Sequence, residues 1–186
     1  MTPAYLQKHC HPKTETGRMI ARKKIGILFV CTGNTCRSPM AAGVLRSLVR
    51  RAGLEAAFEV DSAGTAVRQA GAPPSPLALE AAARRGHDIA AHRARPLMPA
   101  DLVRFAHPLA MTAAHLAAMR VLAAPGVADR PRRLLEQDID DPWGGTARDY
   151  DRALDLIEAG CVPLLKSLMI QYVASSGLRP GGAPAG

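Results

Sequence analysis

Residues 24–38, with the sequence KIGILFVCTGNTCRS, constrain the fold of this chain more than any other stretch. Residues 25–30 form an apolar, β-branched run that is too short for a typical helix and predicts a strand buried on both faces. Cys31 ends this strand, and a short polar loop follows. Ser38 before Pro39 predicts a helix start with Ser38 as the N-cap. The predicted order is therefore strand, tight loop, helix.

A loop in this position can bind an anion of phosphate size. Its backbone N–H groups gather around one point, and the helix dipole adds positive potential there. Gly33 and Asn34 tolerate the positive φ angles that a closed loop requires. We expect the thiol of Cys31 to ionise to the thiolate in that potential, and Arg37 can hold two oxygens of a phosphoryl group. Together these residues predict nucleophilic attack on phosphorus.

The sequence VCTGNTCRSPM at residues 30–40 resembles the active-site loop of the low-molecular-weight protein phosphatases. The pattern of that family is Cys, five residues, Arg, then Ser or Thr. The resemblance implies that Cys31 is the nucleophile and Arg37 the phosphate clamp; the alternative for Cys31 is a buried strand cysteine without chemistry. The remaining residues of the implied phosphate-binding loop are Thr32, Gly33, Asn34, Thr35, Cys36 and Ser38.

Two of these loop residues have further implied roles. The hydroxyl of Ser38 can point back at the sulfur and would stabilise Cys31 as thiolate and as leaving group. For Cys36 the resemblance implies a reversible disulfide with the nucleophile. A purely structural role for Cys36 is the open alternative.

Strands alternating with helices predict an α/β fold with a parallel sheet and right-handed crossovers. The resemblance covers about residues 23–172 and supplies the strand order. It implies a single-domain, four-stranded parallel sheet of flavodoxin-like order 2-1-3-4, with helices on both faces and the loop at the switch point. The third strand is expected to begin after Pro108, because proline removes a ladder N–H, and His107-Pro108 could weaken the fold locally. Residues 133–135 are the candidate fourth strand.

The resemblance also implies support for the loop from outside it. Ser62, in a Ser-Ala-Gly turn after the second strand, would hydrogen-bond Asn34; an ordinary strand-ending turn is the alternative. His92 matches a family position that supports the loop through hydrogen bonds, and could equally be a solvated histidine. Thr112 is predicted to cap a helix that carries His115 on its surface.

A second constellation, EQDIDDPWGG at residues 136–145, can supply the other half of the chemistry. The oxygen that leaves a phosphate ester needs a proton, and a loop carboxylate can donate it and then activate water. Asp141, directly before a proline, matches the general acid of the family, and Asp138 matches an upstream acidic position. A solvated acidic turn is the alternative. Trp143 is expected to form one wall of the cleft. Gly144 stands where vertebrate members of the family carry a second aromatic residue, so the cleft entrance resembles that of bacterial members.

The net charge of +8 is concentrated at the N-terminus. Residues 1–24 hold six Lys or Arg against one acidic residue, Glu15, so they contribute +5 and the rest only +3. This segment lacks the aromatic residues of a stacking platform, which argues against a nucleic-acid partner. Residues 1–22 have no hydrophobic run of a secretory signal and are predicted to be a disordered basic extension. The resemblance implies a phosphatase domain over residues 23–172, and 173–186 is predicted to be a disordered Gly/Pro-rich tail.

Cysteine content and the loop bound the compartment and the cofactors. Four cysteines, two of them in the loop, are a poor disulfide framework, and the cluster at residues 9–11 has no second set of zinc ligands. We therefore expect a reducing, cytoplasmic compartment and no association with a membrane. No metal or organic cofactor is expected, because the loop itself supplies the positive charge.

The expected function is hydrolysis of phosphotyrosine in a phosphorylated protein through phosphocysteine, with inorganic phosphate or another oxyanion binding in the loop. Protein-arginine phosphatase is the alternative, because bacterial enzymes of that kind carry threonine at Thr35, in the same loop CTGNTCR, where tyrosine phosphatases commonly have an aliphatic residue. A catalytically weak phosphoprotein-binding module, suggested by His107-Pro108 and Trp143, is an alternative of another class. Turnover distinguishes it from an enzyme.

Overall fold

The computed structural model describes residues 24–176 of the chain. Its four parallel strands form one sheet in the order β2-β1-β3-β4, which confirms the predicted fold. The strands are β1 (Ile25–Cys31), β2 (Phe58–Gly64), β3 (His107–Ala110) and β4 (Arg132–Arg133), and the α-helices are α1 (Arg37–Arg51), α2 (Pro76–Arg84), α3 (Pro99–Arg104), α4 (Ala113–Leu122) and α5 (Ala147–Ser176). A 3₁₀ turn, Pro125–Val127, precedes β4.

The central strand β1 is buried on both faces, as its apolar run predicts. Ile27 and Phe29 pack in the larger cluster with residues of α1, α2 and α5, whereas Leu28 and Val30 pack in a second cluster with residues of α3 and α4. Successive side chains of a strand point to opposite faces, so this alternation places helices on both sides of the sheet. The C-terminal end of β1, where strand order reverses, is where ligands bind in such folds.

The start of α1 differs from the prediction. The helix begins at Arg37, with Cys36 rather than Ser38 at the N-cap. The hydroxyl of Ser38 contacts the Cys31 sulfur and the Asn34 amide instead, so it does not cap the helix. The predicted Ser-Ala-Gly turn also differs, because residues 62–64 pair with β1 and belong to β2.

The prediction that β3 begins after Pro108 is wrong. The strand starts at His107, and Pro108 pairs with Leu28 of β1. The N–H of Met111 donates to β1, so by the alternation of a strand the nitrogen of Pro108 faces the β4 side. Since β4 pairs only with the two residues after Pro108, the proline removes no ladder hydrogen bond.

The predicted extension at residues 1–22 lies outside the described residues, as does most of the predicted tail. The helix α5 continues to Ser176, four residues into the segment 173–186 that the sequence assigns to the tail. Within residues 24–176, no helix is both long and apolar enough to cross a membrane.

Candidate active site

The loop between β1 and α1 offers its backbone N–H groups to a ligand. Within the described chain, the N–H groups of residues 32–36 donate to no carbonyl and no side chain. The first hydrogen bond of α1 runs from the N–H of Met40 to the carbonyl of Cys36, and the first turn of the helix carries no acidic residue. The loop and helix terminus therefore present several donors and positive potential without an internal anion among them.

The sulfur of Cys31 is buried at the mouth of this loop, where β1 ends. It lies 2.9 Å from the Ser38 hydroxyl, whose oxygen also accepts a hydrogen bond of 2.9 Å from the side-chain amide of Asn34. The Ser38 proton is thus free to point at the sulfur, with the carbonyl of Ala63 as its other acceptor at 3.4 Å. This arrangement can stabilise negative charge on Cys31.

Asn34 is buried and holds the loop in its closed conformation. It is the one non-glycine residue with positive φ, 58°, in residues 24–176. Its side-chain amide donates to the Ser62 hydroxyl at 3.0 Å, and its backbone carbonyl accepts from Nε2 of His92 at 2.8 Å. Burial lowers the pKa of His92 and so favours the neutral ring, which must carry its proton on Nε2 to donate to this carbonyl. The structure therefore brings both predicted supporting residues, Ser62 and His92, to the loop.

Arg37 is 4% exposed and its guanidinium is held on two of its three nitrogens. Nη1 donates to the carbonyl of Ile139 at 3.0 Å, and Nη2 donates to the Asp141 carboxylate at 2.5 Å and to the Thr32 hydroxyl at 3.3 Å. The third nitrogen, Nε, is buried and has no partner in the described chain. A buried guanidinium N–H left unpaired is costly, so this donor is best explained by a ligand that accepts from it.

A cleft of about 430 Å³ opens over the loop. The carboxylate of Asp141 and the ring of Trp143, which is 66% exposed, both line it, and Asp141 also accepts from the backbone N–H of Trp143 at 3.2 Å. Asp138 does not line this cleft; it accepts from the N–H of Ala113 at 2.8 Å and so caps α4. Of the two predicted carboxylates, only Asp141 therefore faces Cys31.

The remaining wall of the cleft is formed by residues that no sequence motif indicates. This wall comes from the loop after β2, and it is lined by Ala66, Arg68, Gln69 and Ala72. None of these residues belongs to a recognisable motif. Only the position of their segment, directly after a strand that neighbours β1, could have indicated them, since the ends of parallel strands meet at one edge.

His115 is a second residue that the sequence analysis misplaced. It was predicted on the surface of α4 but is 6% exposed, with Nε2 lying 2.9 Å from the Thr32 hydroxyl. Burial, reinforced by the charge of Arg37, lowers the pKa of His115 to about 4. Its place in the first turn after β3 was the available signal, because that strand also ends at the loop edge.

The sulfur of Cys36 contacts two hydroxyl groups that come from outside the loop. Its sulfur lies 3.2 Å from Ser75 Oγ and 3.5 Å from the hydroxyl of Tyr150, and these two hydroxyls are 3.2 Å apart. Burial raises the pKa of Tyr150 to about 12.

Residues 24–176 contain no group of three or more His, Cys, Asp or Glu side chains placed to hold a metal ion.

Comparison with known proteins agrees with this geometry. The sequence model of the family described as "Low molecular weight phosphotyrosine protein phosphatase" matches residues 26–174. The low molecular weight protein-tyrosine-phosphatase YfkJ of Bacillus subtilis is 34% identical over 151 residues, covering 77% of this chain and 96% of that protein. Its crystal structure superposes with a TM-score of 0.76 at 32% identity, over 81% of this chain and 98% of YfkJ.

One further similar protein is named for a different activity, and the structure of another contains a bound ligand. The protein-arginine-phosphatase of Geobacillus stearothermophilus is 38% identical over 138 residues, covering 71% of this chain and 88% of that protein. The structure of Vibrio vulnificus Wzb, determined in complex with benzylphosphonate, has a TM-score of 0.71 at 28% identity, over 78% of this chain and 99% of Wzb.

Proposed function

The chain belongs to the low molecular weight phosphotyrosine protein phosphatase family, and from this membership we propose that it hydrolyses phosphotyrosine in proteins through a phosphocysteine intermediate. The observation that carries the proposal is the set of unpaired donors around one sulfur. The N–H groups of residues 32–36 and Nε of Arg37 have no partner in the described chain, and Cys31 lies at the mouth of the same loop. Such a set matches the equatorial oxygens of a phosphoryl group.

In the first step the Cys31 thiolate attacks phosphorus in line with the leaving oxygen. A P–S bond forms while the P–O bond to the tyrosine breaks, and Asp141 transfers its proton to that oxygen. Arg37 and the loop N–H groups hold the three remaining oxygens. Asp141 lines the same cleft as Cys31, which supports its role as the acid.

In the second step water releases the phosphate. The carboxylate of Asp141 accepts a proton from water as the water oxygen attacks phosphorus, and the P–S bond breaks to return the thiolate. The Ser38 hydroxyl, 2.9 Å from the sulfur, stabilises Cys31 as it leaves. The active site then holds inorganic phosphate, which dissociates before the next turnover.

A second candidate is hydrolysis of phosphoarginine, and Thr35 is the observation that favours it. Thr35 lines the cleft beside Cys31, and the similar Geobacillus protein is named a protein-arginine-phosphatase. The threonine hydroxyl can orient water or the polar N–H groups of a phosphoramidate, which a branched aliphatic side chain cannot do. The ring of Trp143 and the carboxylate of Asp141 could also accommodate a planar guanidinium.

Steady-state and single-turnover hydrolysis of matched phosphotyrosine and phosphoarginine peptides tests both candidates, with Cys31→Ser as the blank. We expect faster turnover of phosphotyrosine, unaffected by Thr35→Ile. Faster turnover of phosphoarginine that Thr35→Ile abolishes would establish the second candidate. If neither peptide is hydrolysed above the blank, the enzyme assignment fails and a phosphoprotein-binding module replaces it.

We also place the protein in the cytoplasm. Its three cysteines within residues 24–176 are Cys31, Cys36 and Cys161, and all three are free thiols. A thiol nucleophile and free buried cysteines are suited to a reducing compartment. Fractionation of the native cells with thiol-specific labelling would locate the protein, and recovery from an extracytoplasmic fraction would contradict this placement.

A further inference from the structure

We propose that His115 is a positioning residue that acts through the Thr32 hydroxyl to hold the Arg37 guanidinium in its phosphate-binding orientation. This inference rests on the proposed function, because it assumes that Arg37 holds phosphoryl oxygens. The three side chains come from three separate elements: α4, the loop and α1. They form one continuous chain of hydrogen bonds from His115, in the first turn of α4, to the cleft.

The geometry of the guanidinium explains why its outer nitrogens matter. The group is planar, so fixing Nη1 and Nη2 also fixes the direction of the Nε–H. Nη1 of Arg37 is held by the Ile139 carbonyl at 3.0 Å, and Nη2 is held by the Thr32 hydroxyl at 3.3 Å and by Asp141. Loss of the Thr32 contact, once Asp141 has released Nη2, would let the plane rotate and turn Nε away from the phosphoryl oxygens.

The Thr32 contact becomes decisive once substrate is bound. In the proposed reaction Asp141 must give up Nη2 of Arg37 in order to protonate the leaving oxygen and later to activate water. Of the side chains that contact Nη2 in the described chain, only Thr32 has no other role in the reaction. A threonine hydroxyl rotates freely unless it is anchored, and Nε2 of His115 at 2.9 Å anchors it.

His115 itself is held rigidly. Its backbone N–H donates to the Thr112 hydroxyl at 3.2 Å, and its Nδ1 lies 2.8 Å from the same oxygen. Both contacts fall in the first turn of α4, where Thr112 is the N-cap. A side chain fixed by a helix and a second hydrogen bond can orient a third group more precisely than a loop residue can.

The charge state of His115 suits this role. Its pKa of about 4 reflects burial first and the charge of Arg37 second, opposed by Asp141 and Asp138. The ring is therefore neutral near pH 7 and adds no second positive charge beside Arg37. A hydroxyl oxygen has two lone pairs, so either neutral tautomer of His115 leaves one lone pair of Thr32 for Nη2.

A double-mutant cycle tests the proposal. The variants are His115→Leu, Thr32→Val and the double variant, measured by kcat/KM on an aryl phosphate and by calorimetric affinity for inorganic phosphate. We expect each single change to lower both quantities about three- to tenfold, as for the loss of one ordinary hydrogen bond. If His115 acts through Thr32, the double variant is no worse than Thr32→Val alone. His115→Gln, whose amide can reach the Thr32 hydroxyl, restores most of the loss.

Met119→Ala is the matched structural control, since Met119 is fully buried on α4 but lies in the second core cluster, which contains no residue of the loop at 32–36. It should lower the unfolding temperature, leave kcat/KM unchanged and combine additively with Thr32→Val. The proposal is overturned if His115→Leu costs as much in the Thr32→Val background as in the wild type, or if His115→Gln restores nothing. If the wild type hydrolyses nothing above the Cys31→Ser blank, the proposed function fails, and the phosphate-affinity cycle alone still decides the role of His115.

Discussion

Replacing Asp141 with asparagine should slow the reaction and tighten phosphate binding at the same time. The carboxylate lies 2.5 Å from Nη2 of Arg37 and faces the cleft above Cys31. Asp141→Asn keeps the size of the side chain, and its single oxygen replaces one of the two carboxylate oxygens that accept from Arg37 and from the Trp143 backbone N–H. It removes the transferable proton and the negative charge, and these two losses have opposite effects.

The magnitudes follow from the two roles of the carboxylate. A general acid contributes about 10²- to 10⁴-fold, so kcat for phosphotyrosine, whose phenol has a pKa of about 10, should fall within that range. The same carboxylate competes with phosphate for Nη2 of Arg37. Because the Asp141 side chain is 46% exposed, the pair is worth about 1 kcal/mol at most, and its removal should tighten phosphate binding up to about fivefold.

The assay is hydrolysis of a series of aryl phosphates whose phenols differ in acidity, together with inhibition by inorganic phosphate. The loss of kcat in Asp141→Asn should be greatest for the least acidic phenol and shrink as the phenol becomes more acidic. Asp140→Asn is the matched control, because Asp140 is the adjacent exposed carboxylate and does not line the cleft. An equal loss for every phenol would refute the role as acid, and weaker phosphate binding would refute the competition for Arg37.

Three further predictions test the loop and its supports. In Gly64→Ala the new Cβ would lie 2.5 Å from the Thr32 carbonyl oxygen. We therefore expect a loss of about 1–3 kcal/mol in the free energy of unfolding and a lower kcat/KM. In the control Gly126→Ala the new Cβ meets no atom within 4 Å, so denaturation and kinetics should match the wild type. Asn34→Ala leaves several buried partners unpaired at a positive-φ position, so denaturant titration should show a loss of about 2 kcal/mol or more; an unchanged midpoint would contradict its role in closing the loop. The pKa of His115 is lowered from 6.5 to about 4 on folding, so the unfolded chain binds more protons between these values and the free energy of unfolding should fall as the pH drops from 6.5 to 4. Thermal melts across that range should show a shallower fall for His115→Gln, and an equal fall would assign the acid sensitivity to other groups.

Local sequence was sufficient to predict the centre of the molecule. The apolar run 25–30, the tight loop and the following helix appear in the predicted order, although the helix begins two residues earlier than predicted, because each depends on neighbours within a few residues. The strand order could not be predicted from local sequence, because only the family resemblance supplied it. The Ser38 prediction was wrong for a related reason: N-cap preference is a local tendency, and here a tertiary contact with Cys31 takes the hydroxyl instead.

The residues that sequence reasoning missed or misplaced are brought to the site by distant segments. Pro108 is tolerated because β4 is too short to pair with it, and no pattern within β3 records where another strand ends. The prediction that His115 lies on the surface is wrong. Its ring contacts the hydroxyl of Thr32, a residue 83 positions earlier in the chain, and only the fold brings the two together.

The residues for the chemistry lie close together in the sequence, whereas the residues of the cleft walls lie far from them. Cys31, Arg37 and the loop N–H groups lie within a few residues of one another, so a short motif is enough to indicate phosphoryl transfer. The walls of the cleft above the phosphate loop instead come from Trp143 and the segment containing Arg68, which belong to two other loops. The short motif does not include these walls, so the substrate preference must be measured on the cleft walls and on Thr35, where the loop meets them.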